Sequence, residues 1–198
     1  MSLSDDLERT AGAARALAAP DEELAAVIPT EPAEGVRIYL CAFGDGGGPV
    51  AWLALDAVGG PIGDRRLVRD AVTVAALCEA AEESAGGGNL DELRAQLEEL
   101  RETEHPEGIE EAEEAAADLA RTIGRSPRLA TPAYLDEIGA ATRRLELALG
   151  QSTRSPFAEA MKQAMSTTVE ELKLDVEDHY KLPLRGEPLP SRYAPDDE

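Results

Sequence analysis

Val36-Arg37-Ile38-Tyr39-Leu40-Cys41-Ala42-Phe43, then Gly44-Asp45-Gly46-Gly47-Gly48, then Pro49-Val50-Ala51-Trp52-Leu53-Ala54-Leu55-Asp56, is the stretch on which the fold turns. Two apolar runs rich in β-branched and aromatic residues, joined by a short glycine-rich loop, read as a β-hairpin. Alternation puts Val36, Ile38 and Leu40 on one face and Tyr39, Cys41 and Phe43 on the other. Both faces are apolar, and a two-stranded hairpin is marginal alone, so a helix or a partner must cover it. The loop is not read as a phosphate cradle. That chemistry needs a helix N-terminus after the glycines and usually a lysine, whereas here a strand follows and no lysine is present.

Outward toward the N-terminus, Leu7, Ala11, Ala14 and Leu17 give a helical pattern over residues 4–18, with Ser4 as N-cap and Pro20 as stop. Asp21 to Ile28 is expected as a short second helix, and Pro29-Thr30-Glu31-Pro32 as a break. Outward in the other direction, Gly59-Gly60-Pro61 is a turn, and Pro61-Ile62 is expected to add a short third strand. Asp64 caps a helix over about residues 65–85 that is apolar around most of its circumference, hence central and buried. Gly86-Gly87-Gly88 ends it.

Asn89 with Glu92 caps a helix at 90–104, where Leu90, Leu93, Leu97 and Leu100 form a short seam. His105-Pro106-Glu107-Gly108 turns the chain into a helix with Ile109, Ala112, Ala116, Leu119 and Ile123, ended by Gly124; the short loop predicts an antiparallel helical hairpin. Thr131-Pro132 starts a helix to Leu149, with Leu135, Ile138, Thr142, Leu145 and Leu149 on one face. Ser155-Pro156 starts another, lined by Phe157, Met161, Met165, Val169, Leu172 and Val176, to about Tyr180.

The expected fold class is therefore α+β and predominantly helical. One β-hairpin packs on a central buried helix, with about four further helices and an N-terminal helical arm. The expected organisation is an arm at 1–32, a single domain at 33–180 and a Pro-rich acidic tail at 181–198.

Forty acidic side chains against 19 basic ones give a formal net charge of −21. Phosphate binding needs clustered cations, so no nucleic-acid partner is expected, and an anionic membrane surface is disfavoured for the same reason. No run approaches the roughly 18 apolar residues of a membrane span. Met1 to Glu8 is polar and acidic, unlike a secretory signal. Arginine outnumbers lysine 16 to 3 and alanine is abundant, which suggests a GC-rich bacterial source. Cys41 and Cys78 lie in apolar stretches and read as reduced, buried thiols of a cytoplasmic protein.

Three residue groups are candidates for chemistry. Glu79, Glu82 and Glu83 share one helical face by spacing and offer hard oxygen ligands to a divalent cation. Glu79-Ala80-Ala81-Glu82 also has the spacing of one Glu-x-x-Glu pair of the all-α nucleotide pyrophosphatases. The required second pair is absent, since Glu114 with Asp118 and Glu171 with Asp175 are each one residue too long. Arg65, Arg66 and Arg69 open the central helix and could hold a phosphate or carboxylate there. The third group is the acidic hairpin. Residues 86–123 carry 12 acidic and 3 basic side chains, a net −9, and Glu98, Glu102, Glu110, Glu111, Glu113 and Glu114 are the expected docking face for a basic protein partner.

Glu102 and His105 have the Glu-x-x-His spacing of di-iron bundles, but Val176 stands where a second such glutamate would precede His179. No nucleophile elbow, zinc spacing or nucleotide motif is present, and no cofactor is expected. The resulting expectation is a self-associating interaction or regulatory module, a homo-oligomer. The alternative is a divalent-metal-dependent enzyme or ligand-binding protein acting on a small phosphorylated compound.

Overall fold

In the computed structural model the described residues are 2–20, 22–44, 49–86, 95, 98–99, 106–125, 128–150, 155, 157–163 and 165–166. Their elements are α1 (Leu3–Leu17), β1 (Glu23–Ala33), β2 (Val36–Gly44), β3 (Pro49–Asp56), α2 (Arg65–Gly86), α3 (Pro106–Ile123) and α4 (Pro132–Ala148). Residues 157–163 are also helical. The described residues fall into two units, one within Met1–Ala76 and Pro127–Pro132, the other within Leu77–Ser126 and Ala133–Thr168.

In the first unit, β2 and β3 form the expected antiparallel hairpin, with Leu40 opposite Ala54 and Ala42 opposite Trp52. The sheet has a third strand on the other side of β2, in the order β1-β2-β3. The two apolar faces of the hairpin belong to two different buried clusters. Ile38, Leu40 and Ala54 cluster with Ile62 and with Val68, Ala71 and Val72 from the first turns of α2. Cys41, Phe43, Leu53 and Leu55 cluster with Ala14 of α1, and Leu17 and Leu24 pack against them. Side-chain alternation along β2 thus feeds a core on each face. Each large side chain so buried contributes roughly 1.5–3 kcal/mol.

Strand β1 corrects the expectation of a helix at Asp21–Ile28 and a break at Pro29–Pro32. Glu23–Ala33 is one strand, paired with β2 through Ile28 opposite Leu40 and Thr30 opposite Ile38. Local alanine content favours a helix, but pairing against a two-faced hairpin overrides it. The prolines are tolerated because β1 is an edge strand. The edge groups of residues 29 and 31 bond outward to Ala130, whose N–H donates to the Pro29 carbonyl at 2.9 Å and whose carbonyl accepts from Glu31 N–H at 2.8 Å. Pro29 therefore lacks a donor only where none is used. Pro32 falls in a register shift between Thr30 and Ala33. Gly35, at φ +76°, makes the two-residue turn into β2. Residues 1–32, expected as a separate arm, supply a helix and an edge strand to this unit.

Two smaller corrections follow the hydrogen bonds. Ser2, not Ser4, caps α1: its hydroxyl accepts from Asp5 N–H at 3.2 Å, and Asp5 Oδ2 accepts from Ser2 N–H at 2.9 Å. These bonds from Ser2 hold the Asp5 carboxyl below its usual range. Pro61 makes a single bridge to Leu55 in place of the expected short strand. Buried Asp56 shapes the turn before it, accepting from Val58 N–H at 2.9 Å and Gly60 N–H at 2.8 Å. Gly59 sits in this turn at φ +84°, where a Cβ would lie 2.9 Å from Ala13 Cβ.

In the second unit, α4 follows its expected span, while α3 begins at Pro106, so that Pro106–Gly108, expected as part of a turn, are helical, with Pro106 at the helix start where its missing N–H costs nothing. Ala112, Ala115, Leu119 and Thr122 of α3 are buried, as are Tyr134, Ile138, Ala141, Thr142, Leu145 and Glu146 of α4. Asp118 pairs with Arg144, and Arg125 with Glu137 at 2.7 Å. These pairs run in opposite order along the two helices, so α3 and α4 are antiparallel. Gly150, at φ +78°, lies just past the end of α4. Most of the expected helix at 90–104, the expected helix beyond residue 166 and the tail at 181–198 lie outside the described residues. Among the described residues, no helix is long and apolar enough to cross a membrane.

Candidate functional site

Asp64 closes the start of α2. Its Oδ1 accepts from Arg66 N–H at 2.9 Å and Leu67 N–H at 3.3 Å, and its carbonyl accepts from Val68 N–H. Two of the backbone donors that an anion would use at this helix end, those of Arg66 and Leu67, are therefore occupied. Arg65 and Arg66 are exposed, and Arg69 is half-buried. The three arginines offer side chains without these two helix-end amides.

Glu79 and Glu83 are exposed, while Glu82 is half-buried. Glu82 Oε1 accepts from the Tyr134 hydroxyl at 2.8 Å, which commits it to a contact with α4. Among the described residues, no group of three His, Cys, Asp or Glu side chains is arranged to hold a metal ion. His105, Glu102 and His179 lie outside them.

The acidic docking residues divide. Glu98 is helical and exposed, and Glu110, Glu111, Glu113 and Glu114 are exposed on α3. Glu102 is outside the described residues. A groove of about 330 Å³ runs along α3 and α4, lined by Glu111, Glu114, Asp118, Arg121, Arg144 and Leu147 among others. Asp118 is shared by Arg121, at 3.3 Å, and Arg144. Leu147 is 52% exposed. The groove thus has Glu111 and Glu114, without an ion pair among the described residues, toward the start of α3, a neutralising cluster toward its end and an apolar wall.

Neither cysteine is in a disulfide, and both are buried. Burial pushes the Cys41 thiol up to about 12, so the thiolate nucleophile is suppressed. Below pH 9 the folded and unfolded chains both keep this proton. From about pH 9 to 12 only the unfolded chain releases it, so stability falls as pH rises, by at most about 1.4 kcal/mol per pH unit. Burial also raises the Tyr39 hydroxyl, which acts in the same direction. Urea midpoints should drop between pH 8 and 10.5, and less steeply in Cys41→Ala. Equal midpoints at both pH values would contradict this account.

Two buried carboxylates escaped the sequence reading. Asp6, on the buried face of α1, is only 5% exposed. Its Oδ1 accepts from Arg9 at 2.7 Å, and its Oδ2 accepts from the Tyr39 hydroxyl at 3.3 Å and meets Arg37 at 3.5 Å. Arg9 also donates to the Ala57 carbonyl, and Arg37 reaches Glu31 at 3.6 Å. Glu146 is fully buried. Its Oε1 accepts from Ser155 Oγ at 3.0 Å and from Phe157 N–H at 3.2 Å, and Arg143 approaches its Oε2 at 3.4 Å. Both carboxylates join elements within a unit, and neither opens onto a groove. The signal for Glu146 was its position beside Leu145 on the apolar face of α4; Asp6 gave only an i,i+3 partner, Arg9.

Comparison with known proteins finds no matching family model, no similar curated protein and no similar solved structure.

Proposed function

We propose that the chain is a protein–protein interaction or regulatory module of a bacterial cytoplasm, and that the acidic face of α3 beside the α3–α4 groove docks a basic partner. One observation carries this reading. Glu110, Glu111 and Glu114 are exposed and make no ion pair among the described residues, while the neighbouring groove presents Leu147 as an apolar contact. Unneutralised carboxylates around an apolar contact give orientation and fast encounter with a cationic partner. The metal-dependent alternative gains no geometric support from the Glu79 group, because Glu82 is held by Tyr134.

The test is fluorescence anisotropy with a labelled lysine- and arginine-rich helical peptide. Glu111→Gln/Glu114→Gln should weaken binding by about tenfold, whereas Glu8→Gln/Glu34→Gln, with the same change in net charge at exposed positions, should leave it nearly unchanged. Equal losses in both variants would reduce the interaction to net charge and sink the docking face.

A further inference from the structure

We infer that the α3 face docks a second copy of this chain, which presents Arg65 and Arg66 to it; this rests on the reading of α3 above. With 40 acidic side chains to 19 basic ones, a surface arginine should readily find a carboxylate in its own chain. Arg9, Arg37, Arg121, Arg125, Arg143 and Arg144 do, whereas exposed Arg15 stands alone on α1 with no ion pair among the described residues. Arg65 and Arg66 are adjacent, exposed and without an ion pair among the described residues. Asp70, at i,i+4 from Arg66, does not take it, and Asp64 spends its Oδ1 on backbone N–H groups.

The two cations stand in the first turn of α2, at the positive end of the helix dipole, so they raise the energy of the isolated chain. Glu110 and Glu114 do the same on α3, as like charges at i,i+4. Each patch is relieved by the other. A contact between two different patches either closes reciprocally in a two-fold dimer or propagates into a ring or an open chain.

The net charge of −21 gives this association an unusual salt dependence. At about 0.01 M salt the screening length is roughly 30 Å, so whole-chain repulsion dominates; at about 0.15 M it is roughly 8 Å, and only adjacent charges count. Association between copies should therefore peak at intermediate salt. Binding of a basic peptide should instead weaken steadily from the lowest salt upward.

Sedimentation equilibrium of the full chain across these salt concentrations is the test. Concentration-dependent association near 0.15 M is expected, with loss at both about 0.01 M and about 1 M. Arg65→Glu/Arg66→Glu should raise the dissociation constant by about tenfold or more. Glu110→Lys/Glu111→Lys/Glu114→Lys should also abolish self-association. An equimolar mixture of the two variants should recover association, since the native contact and its charge-reversed counterpart can both form, and circular dichroism checks that both variants are folded. A monomer at every salt concentration, or association unaffected by reversing Arg65 and Arg66, overturns the inference. Anisotropy with the basic peptide separates the two readings. A monomer that still binds the peptide through Glu111 and Glu114 leaves the α3 face standing, and one that does not removes both.

Discussion

Glu146→Ala should destabilise the second unit by about 3 kcal/mol, a drop of roughly 15 °C in its melting temperature. The carboxylate is fully buried, and its Oε1 alone holds Ser155 Oγ and Phe157 N–H. Alanine removes that acceptor and leaves two donors without a partner at the start of the next helical segment, along with a cavity beside Leu145. Phe157 is positioned by the same bond, and its ring packs where a Cβ on Gly139 would meet it at 3.6 Å. Glu146→Gln retains an oxygen acceptor of nearly the same shape and should lose only about 1 kcal/mol, the charge-assisted part of the bonds. Thermal unfolding followed by circular dichroism measures both. Alanine within about 0.5 kcal/mol of wild type would show that the bonds are not needed.

Asp6→Ala should produce a similar loss in the first unit, about 3 kcal/mol, with a second readout in cysteine chemistry. Asp6 ties α1 to the sheet through the Tyr39 hydroxyl and the two guanidinium groups. Without it the fully buried Tyr39 hydroxyl loses an acceptor, while Arg9 and Arg37 retain Ala57 and Glu31. Asp6→Asn keeps an acceptor and should fall between. The cluster under α1 contains Cys41, so loosening the helix exposes a thiol that is otherwise closed. A local opening made easier by about 3 kcal/mol raises its labelling rate by roughly two orders of magnitude. Urea unfolding read by Trp52, the only tryptophan, reports the global loss. A shifted midpoint with unchanged Cys41 labelling would mean that Asp6 stabilises the unit without pinning α1.

Much of the build was legible because it rests on local patterns. The β2–β3 hairpin, the Asp64 cap, the span of α4 and the body of α3 from Ile109 follow from strand-forming runs, capping residues and helical spacing. The Glu23–Ala33 strand was not legible, because its conformation is decided by pairing with β2 and by Ala130, a hundred positions away. The polar contacts split in the same way. The exposed glutamates of α3 could be read from spacing alone. The engagement of Glu82 by Tyr134, and the burial of Asp6 and Glu146, depend on neighbours brought together only by folding. Arg65 and Arg66 were visible as a cluster, but that the amides of Arg66 and Leu67 are already taken by Asp64 required the hydrogen-bond geometry.

The bridge between Thr30 and Ala130 sets a condition on biosynthesis. At about 5–20 residues per second, roughly 5–20 s separate the emergence of β1 from that of the segment closing its outer edge. During that interval the hairpin can form, while the strand beside it presents open backbone groups to any neighbouring nascent chain. Pro29 lies at the part of the edge that waits, with no N–H to offer an unwanted pairing, and Pro32 interrupts the ladder just beyond it, in the register shift between Thr30 and Ala33. The prolines that disguise this strand in the sequence therefore also guard it on the ribosome.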